Sequence, residues 1–146
     1  MTRLSARPVL PFPQNQVGNG DMQRDMDFVR DLLLRIANAE VAIDSDELLP
    51  QDPDDADRAK LVQHLLMLTE EAGFVKGEHI GEDEWVDLDL TWNGHEFLDH
   101  IRDPEMWRQT KAGATKIGDW SLKAIGSIAE GILKARIDRF LAGTLG

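Results

Sequence analysis

The apolar period of this sequence changes at Gly73. Before it, Leu61, Leu65, Leu68 and Ala72 recur at helical spacing, broadened by Val62 and Leu66; after it, Val86, Leu88 and Leu90 alternate with Asp87 and Asp89. A helix that runs straight into a β-hairpin is the consequence, and Gly73 is its natural C-cap. The strands are expected over Phe74–Lys76 and Trp85–Leu90, with Gly77 and Gly81 marking the loop between them.

The flanking segments extend this pattern. Phe28, Val29, Leu32, Leu33 and Ile36 predict a first helix from Asp25 to about Ala39, followed by a short β-prone run at Val41, Ala42 and Ile43. Ser45 is placed to cap a brief helical turn that Pro50 stops, and an Asp-rich loop from Gln51 to Asp57 leads into the long helix. Beyond the hairpin, Thr91 caps a helix that turns Phe97, Leu98 and Ile101 inward before Asp103 and Pro104 end it. Helix, short strand, short helix, long helix and hairpin in that order is the layout of a winged helix, a variant of the helix-turn-helix. The fold expected is therefore mostly α with a small β-hairpin: a flexible leader over 1–21, a winged-helix domain over 22–104 and a C-terminal helical extension over 105–146. The leader rests on three prolines, two glycines and no apolar period.

Particular residues carry a resemblance as well. Met22-Gln23-Arg24-Asp25-Met26-Asp27-Phe28-Val29-Arg30, His64-Leu65-Leu66-Met67-Leu68 with Ala72-Gly73-Phe74, and Leu90-Thr91-Trp92-Asn93-Gly94-His95-Glu96-Phe97-Leu98-Asp99 with Ile101-Arg102-Asp103 and Trp107 stand in one order along the chain. In these segments, over roughly Met22 to Lys111, the sequence resembles domain-of-unknown-function family 2513. That resemblance implies a small phage- or prophage-associated protein of winged-helix type, and it brings no activity, ligand or catalytic residue.

Charge divides the chain. Of the formal net charge of −11, residues 1–39 carry +1, residues 40–105 carry −16 and residues 106–146 carry +4. An acidic middle repels a phosphate backbone, whereas the basic tail suits an acidic protein surface, including the chain's own. The sequence has no cysteine, so disulfides, thiolate zinc sites and a cysteine nucleophile are excluded, and a reducing cytoplasm is the expected compartment.

No spacing in the sequence supports metal or enzyme chemistry. His95 and His100 stand five positions apart, about 140° around a helix, so they do not share the face that a zinc helix needs. Asp52, Asp54, Asp55 and Asp57 resemble a calcium loop, but its sixth and twelfth positions fall on Asp57 and Gln63 where Gly and Glu are required. Glycines in phosphate-binding spacing are absent too. No catalytic residue, cofactor or metal is expected.

Two surfaces remain as candidates. On the long helix Arg58, Lys60, Gln63 and His64 would read nucleic acid if the winged helix followed its usual docking, although Glu70, Glu71 and the acidic hairpin residues Glu82, Asp83 and Glu84 oppose it. In the tail, Ile125, Ile128, Ile132, Ala135 and Phe140 form a stripe from Trp120 to Leu141, widened by Leu133, Ile137 and Leu141. Lys123, Glu130, Lys134, Arg136, Asp138 and Arg139 interrupt it too often for a membrane span. A non-enzymatic interaction module is the function expected, with Ile125, Ile128 and Ile132 as the contact centre and Lys134, Arg136 and Arg139 orienting a protein partner or second copy. A DNA-binding regulator that dimerises through the same helix is the alternative; for the helix itself, packing on its own domain ranks close behind partner docking, and adsorption to a membrane interface third.

Overall fold

A computed structural model describes residues 19–145. Helix α1 (Asn19–Asn38) leads through a one-turn 3-10 helix (Ser45–Leu48) to α2 (Asp55–Leu66), which continues as a π-helical turn (Met67–Glu71). Strands β1 (Val75–Ile80) and β2 (Glu84–Leu90) follow, and then helices α3 (Trp92–Ile101), α4 (Pro104–Ile117) and α5 (Leu122–Leu145). The chain is mostly helical with one antiparallel hairpin and a C-terminal helix. Most of the expected leader lies outside the described residues, but α1 begins at Asn19, inside the segment assigned to it.

The expected β-run before the short helix contracts to one bridge. The Ile43 N–H donates to the Leu88 carbonyl at 3.3 Å and the Leu88 N–H to the Ile43 carbonyl at 2.7 Å, so the segment touches the outer edge of β2 at a single residue. This third contact on the hairpin is compatible with a winged helix. Ser45 does not cap the turn that follows. Asp44 takes that place, its N–H donating to Glu47 at 2.9 Å, while buried Ser45 accepts the Trp85 N–H at 3.0 Å. The serine is needed inside because an edge-strand N–H in a buried spot requires a partner.

Asp54 caps α2 by accepting the Asp57 N–H at 2.8 Å, and the Asp57 carboxylate accepts the Asp54 N–H in return. Leu61, Leu65 and Leu68 are buried as the spacing predicts. Ala72 closes the π-turn by donating to the Met67 carbonyl, and Gly73 takes φ of 69°, the left-handed conformation that glycine adopts freely.

Inside the hairpin the structure departs from strict alternation. Lys76 pairs with Asp89 but Glu78 pairs with Val86, so Gly77 opposes both Asp87 and Leu88 in a β-bulge. Asp87 absorbs the extra residue at φ of 56°. The bulge reverses the facing of the strand beyond it, so Trp85 is buried where Val86 was expected to point inward. Gly77 therefore belongs to β1 and not to the loop, and a Cβ there would meet Leu88 Cδ2 at 2.9 Å.

Behind the hairpin, Phe97, Leu98 and Ile101 of α3 join Val29, Leu32, Leu33 and Ile36 of α1 in one core with Leu65, Leu68, Trp85 and Leu88. Asp103 caps α4 rather than only ending α3, with Pro104 at the first helical position. Helix α4 runs through Gly113 and stops at Gly118, with φ of 82°. Contacts cross residue 104 throughout: α4 and α5 pack on each other and both pack on α3.

Leu65 lies wholly buried in the middle of this core. Leu65→Ala is expected to cost roughly 2–5 kcal/mol in urea unfolding, whereas surface Arg58→Ala should stay within about 0.5 kcal/mol. A Leu65→Ala protein as stable as the parent would contradict the inward register of α2.

Candidate interaction surface

Two different environments divide helix α5. Its start is fixed by Ser121, which accepts the Ala124 N–H at 3.1 Å. The first half lies on the core, with Ile125 and Ala129 fully buried and Gly113 of α4 drawn so close that a Cβ on it would be 2.9 Å from Ile128 Cγ2. Past Ala129 the side chains are mostly exposed, although Ile132 stays half-buried and Arg136 still acts on Glu105 of α4. Leu133 is 37% exposed, Ile137 49% and Leu141 49%, with Phe140 on the same side at 72%. Spacings of four keep Leu133, Ile137 and Leu141 on one slowly turning face.

This division corrects the expected contact centre. Ile125 is inside the chain and unavailable to a partner, and Ile128 and Ile132 are half-buried. The stripe read from sequence is one row of two environments, since Ile125, Ala129, Leu133 and Ile137 follow one another at spacings of four and only the first two are buried. Lys134, Arg136 and Arg139 are exposed around the open half.

The residues expected to read nucleic acid are not brought together. Arg58 lies on the hairpin side of α2, lining a cavity of about 80 Å³ with Asp46, Asp83 and Glu84. Lys60 and His64 lie on the opposite flank, where the Lys60 ammonium stands 4.4 Å from the centre of the Phe28 ring and His64 meets the same ring edge-on at 4.9 Å. His64 Nδ1 is 2.8 Å from the Lys60 carbonyl oxygen. That leaves Gln63 on the outward face, with exposed Ala56, Ala59, Lys60 and Glu70 as its neighbours in the helical repeat, the Lys60 ammonium being drawn over Phe28. Among the described residues no group of three or more His, Cys, Asp or Glu is arranged to hold a metal ion, and none of the helices is long and apolar enough to cross a membrane.

The clearest titration anomaly is structural. Hydrogen bonds from Arg108 and Gln109 hold the Glu105 carboxyl down at about 2, on an exposed turn of α4. Among the described residues, Trp120 Nε1, buried at the turn between α4 and α5, has no hydrogen-bond partner.

Comparison with known proteins agrees with the motif reading. The profile of a family described as "Hypothetical protein (DUF2513)" matches residues 23–119. The chain belongs to this family. The chain is also similar to an uncharacterized protein of Haemophilus influenzae, 32% identical over 116 residues that span 77% of the chain and 96% of the relative. No solved structure matches.

The family 2513 residues found by motif form joints between elements. Trp107 Nε1 donates to Asp27 at 2.7 Å, Lys111 reaches the same carboxylate oxygen at 3.0 Å, and Arg30 donates to the carbonyls of Ile101 and Arg102. Together these bonds tie α1 to α4 and satisfy the end of α3. The family match stops at residue 119, before α5 begins. No sequence signal separates the two halves of α5, because the boundary depends on where α3 and α4 end in space.

Ile125→Ala is expected to cost roughly 2–5 kcal/mol and Ile137→Ala within about 0.5 kcal/mol, as read by urea unfolding. Equal losses at the two positions would mean that distal α5 is packed and offers no surface.

Proposed function

We propose that this protein is a non-enzymatic winged-helix interaction module of phage or prophage origin, working in the cytoplasm by docking a protein on the distal half of α5. One observation carries the reading: α5 continues from Ala129 to Leu145 beyond its last buried residue, with Leu133, Ile137 and Leu141 turned to solvent. Helices in proteins draw most of their stability from packing an apolar face, and an exposed apolar stripe bordered by charge is what interaction sites present. Lys134, Arg136 and Arg139 favour an acidic partner and add a salt-sensitive term to its association rate.

The regulator reading draws on the winged-helix order of elements, but the outward face of α2 speaks against it. That face offers Gln63 beside two alanines, Glu70 and a Lys60 drawn toward Phe28, and the hairpin tip carries Glu82, Asp83 and Glu84. Cations near phosphate supply most non-specific DNA affinity, and here they are turned aside.

The test pairs two measurements. A photo-reactive residue at position 137 should yield a defined protein adduct in cells that is lost in a Leu133→Glu, Leu141→Glu chain, and the purified protein should leave random DNA unshifted at low salt. A shift that falls steeply with salt and disappears in Arg58→Ala, Lys60→Ala, without any protein adduct at 137, would favour the regulator instead.

A further inference from the structure

The distal stripe has a counterpart on the same molecule. Met67, Ala72, Phe74 and Leu122 line a groove of about 470 Å³ between the end of α2 and the start of α5, with Glu71 and Lys123 at its edge. All four apolar residues are half-buried. They form an apolar trough, not a polar site.

Groove and stripe stand at opposite ends of one face of α5. Leu133 follows Leu122 by eleven residues, which returns the helix to within about 20° of the same direction. Between them the face is covered by the chain itself, since Phe97 lies against Gly126, where a Cβ would be 3.6 Å from its ring. A two-fold axis crossing the middle of α5 would therefore lay each stripe over the other chain's groove, as an isologous interface requires.

We infer that α5 builds a two-fold dimer in which Leu133, Ile137 and Leu141 of one chain seat in the Met67, Phe74 and Leu122 groove of a second copy. Charge supports this occupant over a foreign one. Lys134, Arg136 and Arg139 border the stripe and belong to the +4 segment, whereas Glu71, with Glu70 beside it, borders the groove and belongs to the −16 segment. Lys123 at the groove edge meets a helix that also carries Glu130 and Asp138. The inference rests on the proposed docking role of distal α5 and names its partner.

Light scattering of the full chain from micromolar to millimolar concentration should give twice the chain mass. Ile137→Glu and Met67→Glu, both partly exposed, should each give the single-chain mass with the helical circular dichroism unchanged. Because the chain has no cysteine, a mixture of Met67→Cys and Ile137→Cys chains under mild oxidation should form the mixed disulfide dimer in preference to either like pair. A dimer linked only through Ile137→Cys to itself would overturn the groove. A wild type that stays monomeric would overturn self-docking; a protein adduct at position 137 in cells would then preserve the interaction reading, and its absence would end both.

Discussion

Gly94 lies so close to the main chain of Phe74 that a Cβ on it would come within 2.0 Å of the Phe74 carbonyl oxygen. The rest of the fold is arranged around that approach. Thr91 accepts the Gly94 N–H at 3.0 Å and donates its own hydroxyl to the Gly73 carbonyl at 2.6 Å, while the Thr91 N–H donates to the Phe74 carbonyl at 2.9 Å. On the other side the Phe74 N–H donates to the Leu68 carbonyl, closing the end of α2. The start of the hairpin, its exit and the first turn of α3 are thereby held at one point. Ring stacking carries the order further, because Phe74 lies 4.7 Å from Phe97, and Phe97 receives α5 over Gly126. The Ala72-Gly73-Phe74 and Thr91-to-Phe97 segments, separated in the sequence, are the two sides of this clasp.

Much of this was legible in the sequence, where local chemistry decides. Gly73 as C-cap, Thr91 as N-cap, the leucine face of α2 and the inward Phe97, Leu98 and Ile101 all follow from spacing and cap preference, and all stand in the structure. Trp85 could not be placed in that way. Its facing depends on one extra residue at Asp87, and the available signal is Gly77, an isolated glycine that suggests a loop and in fact admits the bulge. Gly113 is ambiguous in the opposite direction, since helix breaking and close helix packing call for the same residue. Ile125 and Ile137 look alike in sequence and differ in how much of the body covers them, which is a fact of tertiary structure.

The candidate surface follows from the clasp. By fixing α3 against the hairpin it also fixes where Phe97 meets α5, and hence how much of α5 the body covers. The same geometry sets the long helix beside an acidic hairpin and turns Arg58 and Lys60 to its flanks. A fold compatible with DNA reading is left with little cation on its outward face and an apolar stripe elsewhere. Fold alone does not assign function; here the placement of charge and open apolar area argues for protein contact.

Thermal unfolding of Gly94→Ala beside Gly131→Ala tests the clasp directly. Gly131 is an exposed position within α5 with nothing within 4 Å of an added Cβ, so alanine there should hold or raise the melting temperature through helix propensity alone. At Gly94 the added methyl must push Phe74 and the hairpin away, an overpacking cost of about 1–3 kcal/mol or more. At roughly 2–8 °C per kcal/mol for domains of this size, the melting temperature should fall clearly below that of the parent. A Gly94→Ala protein that melts at or above the parent would contradict the account, because the Phe74 carbonyl could not then be where the fold needs it.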